Sequence, residues 1–143
     1  MKLSAKVEYA TLAVLDLAVQ YGSGEPVRIG AIAARHGIPQ RFLVQILLQL
    51  KGAGLVASSR GAAGGYRLTR PPEEITLADV LGVIEGPQHA EPTSSAAADS
   101  AAAAVLLDVW RQIAEVQQNL LAETTFADLA EHLGQKSENM YYI

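Results

Sequence analysis

The sequence predicts a mainly α-helical fold: a winged helix-turn-helix with a two-stranded wing, followed by a long C-terminal helix that pairs two chains. Three observations predict it. Two helical patterns meet at Gly37-Ile38-Pro39 with almost no chain between them. Two strand-like runs, Leu55-Val56 and Tyr66-Arg67-Leu68, follow at once and flank the glycine-rich Arg60-Gly61-Ala62-Ala63-Gly64-Gly65. Further on, Leu106, Val109, Ile113, Val116 and Leu120 recur at spacings of 3 and 4, which is a heptad seam.

The elements follow in chain order. A first helix is expected from about Ala5 to Tyr21, with Ser4 as its cap. Its inner stripe is Val7, Ala10, Val14, Leu17 and Ala18, and Gly22-Ser23-Gly24 with Pro26 stop it. The helix before the tight turn ends at Gly37, which takes the positive φ that closes a helix C-terminus. Ile38 packs back, and Pro39 stands where the next helix begins, at a position whose N–H has no helical partner to lose. That next helix buries Leu43, Ile46, Leu47 and Leu50 and turns Gln40, Arg41, Val44, Gln45 and Lys51 outward. Pro71-Pro72-Glu73-Glu74 turns the chain after the wing, and Thr76-Leu77-Ala78-Asp79 reads as a capping box opening a helix to about Glu85, ended by Gly86-Pro87. Residues 87–98 are low in complexity and read as a mobile loop. A long helix starts after Asp99 or Ser100, helped by Ala101 to Ala104. Thr125-Phe126-Ala127-Asp128 is a second capping box, opening a short helix to about Leu133 that Gly134 closes. The expected organisation is a DNA-binding domain over 1–86, the loop over 87–98, a dimerisation helix and short helix over 99–134, and a tail over 135–143.

Two helices joined by so tight a turn form a unit whose second helix can lie in a DNA major groove. Arg41 and Gln45 are the residues expected at base edges, since Arg suits guanine and Gln suits adenine. Gln40 assists at the helix start, and Val44 is placed to touch a thymine methyl. Arg28 is expected at the DNA, Lys51 on phosphates, and Arg60, Arg67 and the backbone of Gly61, Gly64 and Gly65 on phosphates or in the minor groove. Arg70 adds charge at the base of the wing. The glycine-rich loop lacks the Lys-Ser/Thr ending of a phosphate-binding P-loop.

Net charge is −4 over 143 residues, which by itself argues against a nucleic-acid partner. The halves differ, however. Residues 1–70 hold nine Lys and Arg against three acids, and residues 71–143 hold two against twelve. Such asymmetry marks a nucleic-acid face on one side only. Half the residues are hydrophobic, enough for a core. No stretch approaches the roughly 20 apolar residues of a membrane span, and the opening pattern is amphipathic and not that of a secretion signal, so no membrane partner and a cytoplasmic location are expected. There is no cysteine, which excludes disulfides and thiolate-held metal. His36, His89 and His132 do not form a metal-ligand spacing, and no nucleophile and base are paired. No catalytic residue, metal site or cofactor is assigned, and the chain is not expected to be an enzyme.

At this point the residues resemble the bacterial winged helix-turn-helix regulators that include IscR, NsrR and CymR. The marks are Met1-Lys2-Leu3-Ser4-Ala5-Lys6 with Tyr9-Ala10, the helix with Gly37-Ile38, Phe42-Leu43 and Gln45, Gly54-Leu55-Val56, Arg60-Gly61 with Gly64-Gly65-Tyr66, and Ile75-Thr76-Leu77-Ala78-Asp79-Val80. Val44 departs from the polar residue common at that position. The resemblance implies a homodimer with a winged domain from each chain and long helices crossing between them, acting on palindromic double-stranded operators. Many members hold an iron–sulfur cluster on three cysteines near the start of the long helix; here residues 88–104 carry no thiol, so cluster-based sensing does not carry over.

Within the cluster-free part of the family, the chain resembles the repressors of cysteine metabolism, of the CymR type. It does so at Glu85-Gly86-Pro87, at Thr124-Thr125 with Asp128-Leu129-Ala130, and in an aromatic tail ending Tyr141-Tyr142-Ile143. That likeness makes cysteine synthase a candidate partner, with Tyr142 and the Ile143 carboxylate docking in its substrate site and O-acetylserine displacing them. Two alternatives stay open: a cluster-free regulator of another regulon that senses a small molecule directly, and a winged-helix module that binds protein and not DNA.

Overall fold

The computed structural model describes residues 3–86 and 92–141. Among the described residues, six α-helices and one hairpin follow in the order α1 (Ala5–Gln20), α2 (Ile29–His36), α3 (Gln40–Gly52), β1 (Val56–Ser59), β2 (Gly65–Leu68), α4 (Leu77–Glu85), α5 (Ala101–Glu123) and α6 (Phe126–Tyr141). One-turn 3-10 helices at Tyr21–Ser23 and Pro72–Glu74 link α1 to α2 and β2 to α4.

Local chemistry sets most of the boundaries. Ser4 Oγ accepts the Val7 N–H at 3.2 Å and opens α1. Gly37 closes α2 at φ 64°, a value a side chain rarely adopts, and Pro39 takes the N-cap of α3. Thr76 and Asp79 exchange hydrogen bonds at the start of α4, and Thr125 and Asp128 do the same at the start of α6. Ser100 caps α5 through the Ala103 N–H.

The core lies between α1, α3, α4 and the sheet. The apolar stripe of α1 is buried from Val7 to Ala18, and Leu43, Ile46, Leu47 and Leu50 bring α3 onto it. Four further features were not anticipated. First, α6 does not stop at Leu133 but runs through Gly134 to Tyr141. A glycine in a helix interior costs about 1 kcal/mol relative to alanine, which the helix-forming residues on either side absorb. Second, Phe126 at the head of α6 is 0 % exposed, so α6 begins inside the core of the winged part, and it packs along α1 and the Pro72–Glu74 turn. The expected boundary between 1–86 and 99–134 is therefore crossed by the core itself. Third, the starts of α4 and α6 are sewn together: Leu77 N–H donates to Thr124 O at 3.0 Å and Phe126 N–H to Ile75 O at 2.9 Å. Fourth, Asp16 is 3 % exposed on α1 and reaches α2, 2.9 Å from His36 Nε2 and 3.1 Å from Arg35 Nη1. A buried carboxylate needs such partners, and the pair locks the first helix of the helix-turn-helix onto α1.

Residues 92–98 form neither helix nor strand; the remainder of the expected loop, with His89, lies outside the described residues, as do Tyr142 and Ile143.

Candidate nucleic-acid interface

Because α3 buries Leu43, Ile46, Leu47 and Leu50, its opposite face carries Arg41, Gln45 and Leu48 at i, i+4 and i+7. All three are exposed. Gln40, Val44 and Lys51 flank this stripe on one side and Phe42 on the other, all exposed. The Arg41 guanidinium lies over the Phe42 ring, 5.3 Å from its centroid. Stacking of this kind restricts a long side chain before it meets a ligand. Phe42 was read in the sequence only as a family mark, and Leu48 was not read as outward-facing at all. Lys51 Nζ donates to Ser58 Oγ at 2.7 Å, tying the end of α3 to the first wing strand while its charge stays at the surface.

The wing is an antiparallel hairpin with Val56 opposite Leu68, Ala57 opposite Arg67 and Ser59 opposite Gly65. Val56 and Leu68 anchor it in the core, and Arg60 and Gly61 form its exposed tip with Ala62 and Ala63. Gly61 has φ 99°, which makes the turn. The other two glycines have a different role from the expected one. Gly64 is buried and its N–H already donates to Gly61 O at 3.0 Å, so it does not offer a backbone donor to phosphate. A Cβ there would sit 2.8 Å from the Arg60 carbonyl carbon, and one on Gly65 would sit 2.7 Å from that of Val27. Both positions are glycine because backbone packs on backbone within the protein.

The Gly65 contact belongs to a third extended segment that the sequence did not reveal. Val27 and Tyr66 exchange two backbone hydrogen bonds of 2.8 Å. This bridge brings Arg28, the N-cap residue of α2, beside the strand that carries Arg67. Arg28, Arg41, Arg60 and Arg67 are exposed and, among the described residues, make no ion pair. Arg70 differs: its Nη2 is 3.6 Å from Asp79 and its Nε donates to Glu74 O at 3.2 Å. Its guanidinium is turned toward the start of α4. The face that remains is a helix with hydrogen-bonding and apolar groups outward and an arginine-bearing wing beside it, a combination suited to base edges and phosphates together.

Comparison with known proteins agrees with this geometry. The Rrf2 family model, described as an iron-dependent transcriptional regulator, matches residues 3–132. The transcriptional regulator CymR of Bacillus subtilis is 34 % identical over 151 residues, covering 100 % of both chains. The regulator IscR of Cereibacter sphaeroides is 33 % identical over 134 residues, covering 90 % of this chain and 86 % of its own. The solved structure of CymR, the global cysteine regulator of B. subtilis, superposes with a TM-score of 0.81 at 32 % identity, over 92 % of this chain and 98 % of that one. A winged helix-turn-helix with its basic face outward and a family match over most of the length lead to one identification: this chain is a DNA-binding transcriptional regulator of the Rrf2 family, and not an enzyme.

Proposed function

We propose that the protein acts as a homodimeric repressor of sulfur and cysteine-metabolism genes, with cysteine synthase as its partner. The observation that carries the regulon is the likeness to the global cysteine regulator of B. subtilis over nearly the whole chain. The dimer is supported by α5, which has no buried residue along its length. The whole expected seam, Leu106, Val109, Ile113, Val116 and Leu120, is exposed, with Val105 and Trp110 extending it. Two-fold pairing along that stripe would give two winged faces of one symmetry, which is what a palindromic operator requires.

Iron, named in the family description, does not fit the residues present. Thiolate ligation of a cluster needs cysteines, and the chain has none. Among the described residues no group of three His, Asp or Glu comes together to replace them.

On DNA, Arg41 and Gln45 read bases with Gln40 beside them, and Arg28, Lys51, Arg60 and Arg67 hold phosphates. Arg41→Ala is then expected to change base preference at one position by about 1–3 kcal/mol. Lys51→Ala is expected to weaken all sequences alike and to flatten the dependence of affinity on salt, because one fewer counterion is released. Titrations on matched and scrambled duplexes at several salt concentrations separate the two. Identical behaviour of both variants would mean that α3 is turned the wrong way.

The regulon is tested by sequencing the genomic fragments that the purified protein retains at near-physiological salt. Palindromes upstream of sulfur-uptake and cysteine genes are expected, and palindromes elsewhere would remove the sulfur assignment. Immobilised protein is expected to capture purified cysteine synthase, with Ile143→Glu abolishing capture and leaving DNA affinity intact; equal capture by both would remove that partner. Direct sensing of a small molecule is the second reading. An open cleft of about 630 Å³ between the end of α1 and β2, lined by Gln20, Tyr21, Tyr66 and Arg67 among others, favours it, since an occupant would press on the wing.

A further inference from the structure

The outward stripe of α3 contains a large apolar side chain that neither the core nor any charged neighbour explains. Leu48 is 56 % exposed, on the same face as Arg41 and Gln45, and Val44, one turn before it, is 38 % exposed. Side chains at i and i+4 are neighbours on a helix surface, so the two make a continuous apolar ridge beside two polar base-reading residues. On the floor of the major groove one methyl matches such a ridge, the C5-methyl of thymine; cytosine carries only a hydrogen at C5, and the other groups read there are hydrogen-bond donors and acceptors.

We propose that Leu48 is a specificity-determining residue and that, with Val44, it seats thymine methyl groups in each half-site. The proposal rests on α3 being the helix in the major groove. Val44 and Leu48 lie about 6 Å apart along the helix axis, and successive bases rise about 3.4 Å along a strand, so the thymines they touch stand no more than two steps apart. An isobutyl group cannot accept or donate, so a cytosine or guanine at that step leaves its own polar edge against hydrocarbon and loses its water. The ridge thus selects by attraction to methyl and by penalty on polar edges. In this scheme Arg41, steadied on Phe42, reads a neighbouring base, and the helix combines one charged, one amide and one apolar contact along a single stripe.

The test uses the full chain and a duplex selected from random sequence, so that its result does not depend on which genes are regulated. Each thymine of the selected site is replaced in turn by uracil, which removes only the methyl group. At the steps facing Leu48, replacement in one half-site is expected to weaken wild-type binding about fourfold, the equivalent of about 0.8 kcal/mol for one buried carbon group. Replacement in both half-sites is expected to weaken it about fifteenfold. Leu48→Ala, a change at an exposed position that leaves the core intact, is expected to bind the parent duplex less well and to be indifferent to uracil at those steps. A selected site with no fixed thymine, uracil effects within twofold everywhere, or equal uracil sensitivity in wild type and Leu48→Ala would overturn the proposal. Arg41→Ala, assayed alongside, separates the levels. If it loses base discrimination while uracil is silent, the helix orientation stands and the role of Leu48 falls; if neither changes anything, α3 is not the reading helix and both fall.

Discussion

Val109→Glu combined with Ile113→Glu is expected to turn the protein into a monomer and to lower operator affinity by about 10²–10⁴-fold, the gain that linking two binding modules supplies. These residues sit in the middle of α5, a 23-residue helix and so about 35 Å long. One side of α5 packs against α4, and the apolar stripe points away from it, with Val105, Leu106, Val109, Trp110, Ile113, Val116 and Leu120 all between 46 and 68 % exposed. A side chain of this kind gains about 1.5–3 kcal/mol on going from fully exposed to fully buried; these are about half exposed, so each has roughly half of that still to gain, which favours covering the stripe with its own symmetry copy. Two glutamates per chain would bring four carboxylates into that seam, where charge without a partner is costly. Sedimentation velocity reads the mass and titration of a palindromic duplex reads the affinity. Asp108→Ala, on the exposed polar side of α5, should leave both unchanged. A double variant that sediments as a dimer and binds with undiminished affinity would refute the pairing along α5.

What was legible in the sequence was what neighbouring residues decide among themselves. The caps at Ser4, Thr76 and Thr125 formed as expected because a side chain there answers an N–H three residues on. The inner stripe of α3 was legible because its spacing is a property of one helix. Most of the misses have a different cause, a partner distant in sequence. Asp16 drew no reading from the sequence, because the groups that explain its burial, His36 and Arg35, lie on α2. Val27 carried no strand signal, since among the described residues its one ladder partner is Tyr66. Gly64 and Gly65 suggested a backbone open to DNA, but glycine signals close approach without saying to what, and here the neighbour is the protein's own backbone. Gly134 was read as a stop because glycine often follows a helix, whereas helix-forming neighbours such as Glu131 and Leu133 before it and Gln135, Lys136 and Glu138 after it carry α6 past it. Leu48 escaped because the inner stripe was complete without it and, of the outward positions, Val44 alone was read as apolar; a base-reading helix can break the polar pattern at more than one position.

Phe126→Ala is expected to destabilise the whole protein by about 3–5 kcal/mol, the range for removing a large buried aromatic side chain. Phe126 is the largest of the fully buried side chains, and its N–H is held by Ile75 O, so the surroundings are pinned at the point where they would have to collapse. The cavity therefore stays open and the loss lies toward the upper end of the range. Its position makes the prediction more than a packing estimate. Were residues 99–134 a separate unit, deleting an aromatic ring at position 126 would leave the winged part untouched. Since the ring sits in the core shared by α1 and α4, one transition should move as a whole. Urea denaturation at fixed protein concentration, which keeps any dimer contribution constant, can be followed by the fluorescence of Trp110, the single tryptophan, on α5, and by far-ultraviolet circular dichroism. Both signals are expected to shift together to lower urea. Leu133→Ala, at a position 41 % exposed on α6, should shift them by no more than about 0.5 kcal/mol. Two separated transitions in Phe126→Ala, with the later one at the wild-type midpoint, would show instead that the helix-turn-helix and wing fold without α6, and the sewn starts of α4 and α6 would then be a contact between units and not part of one core.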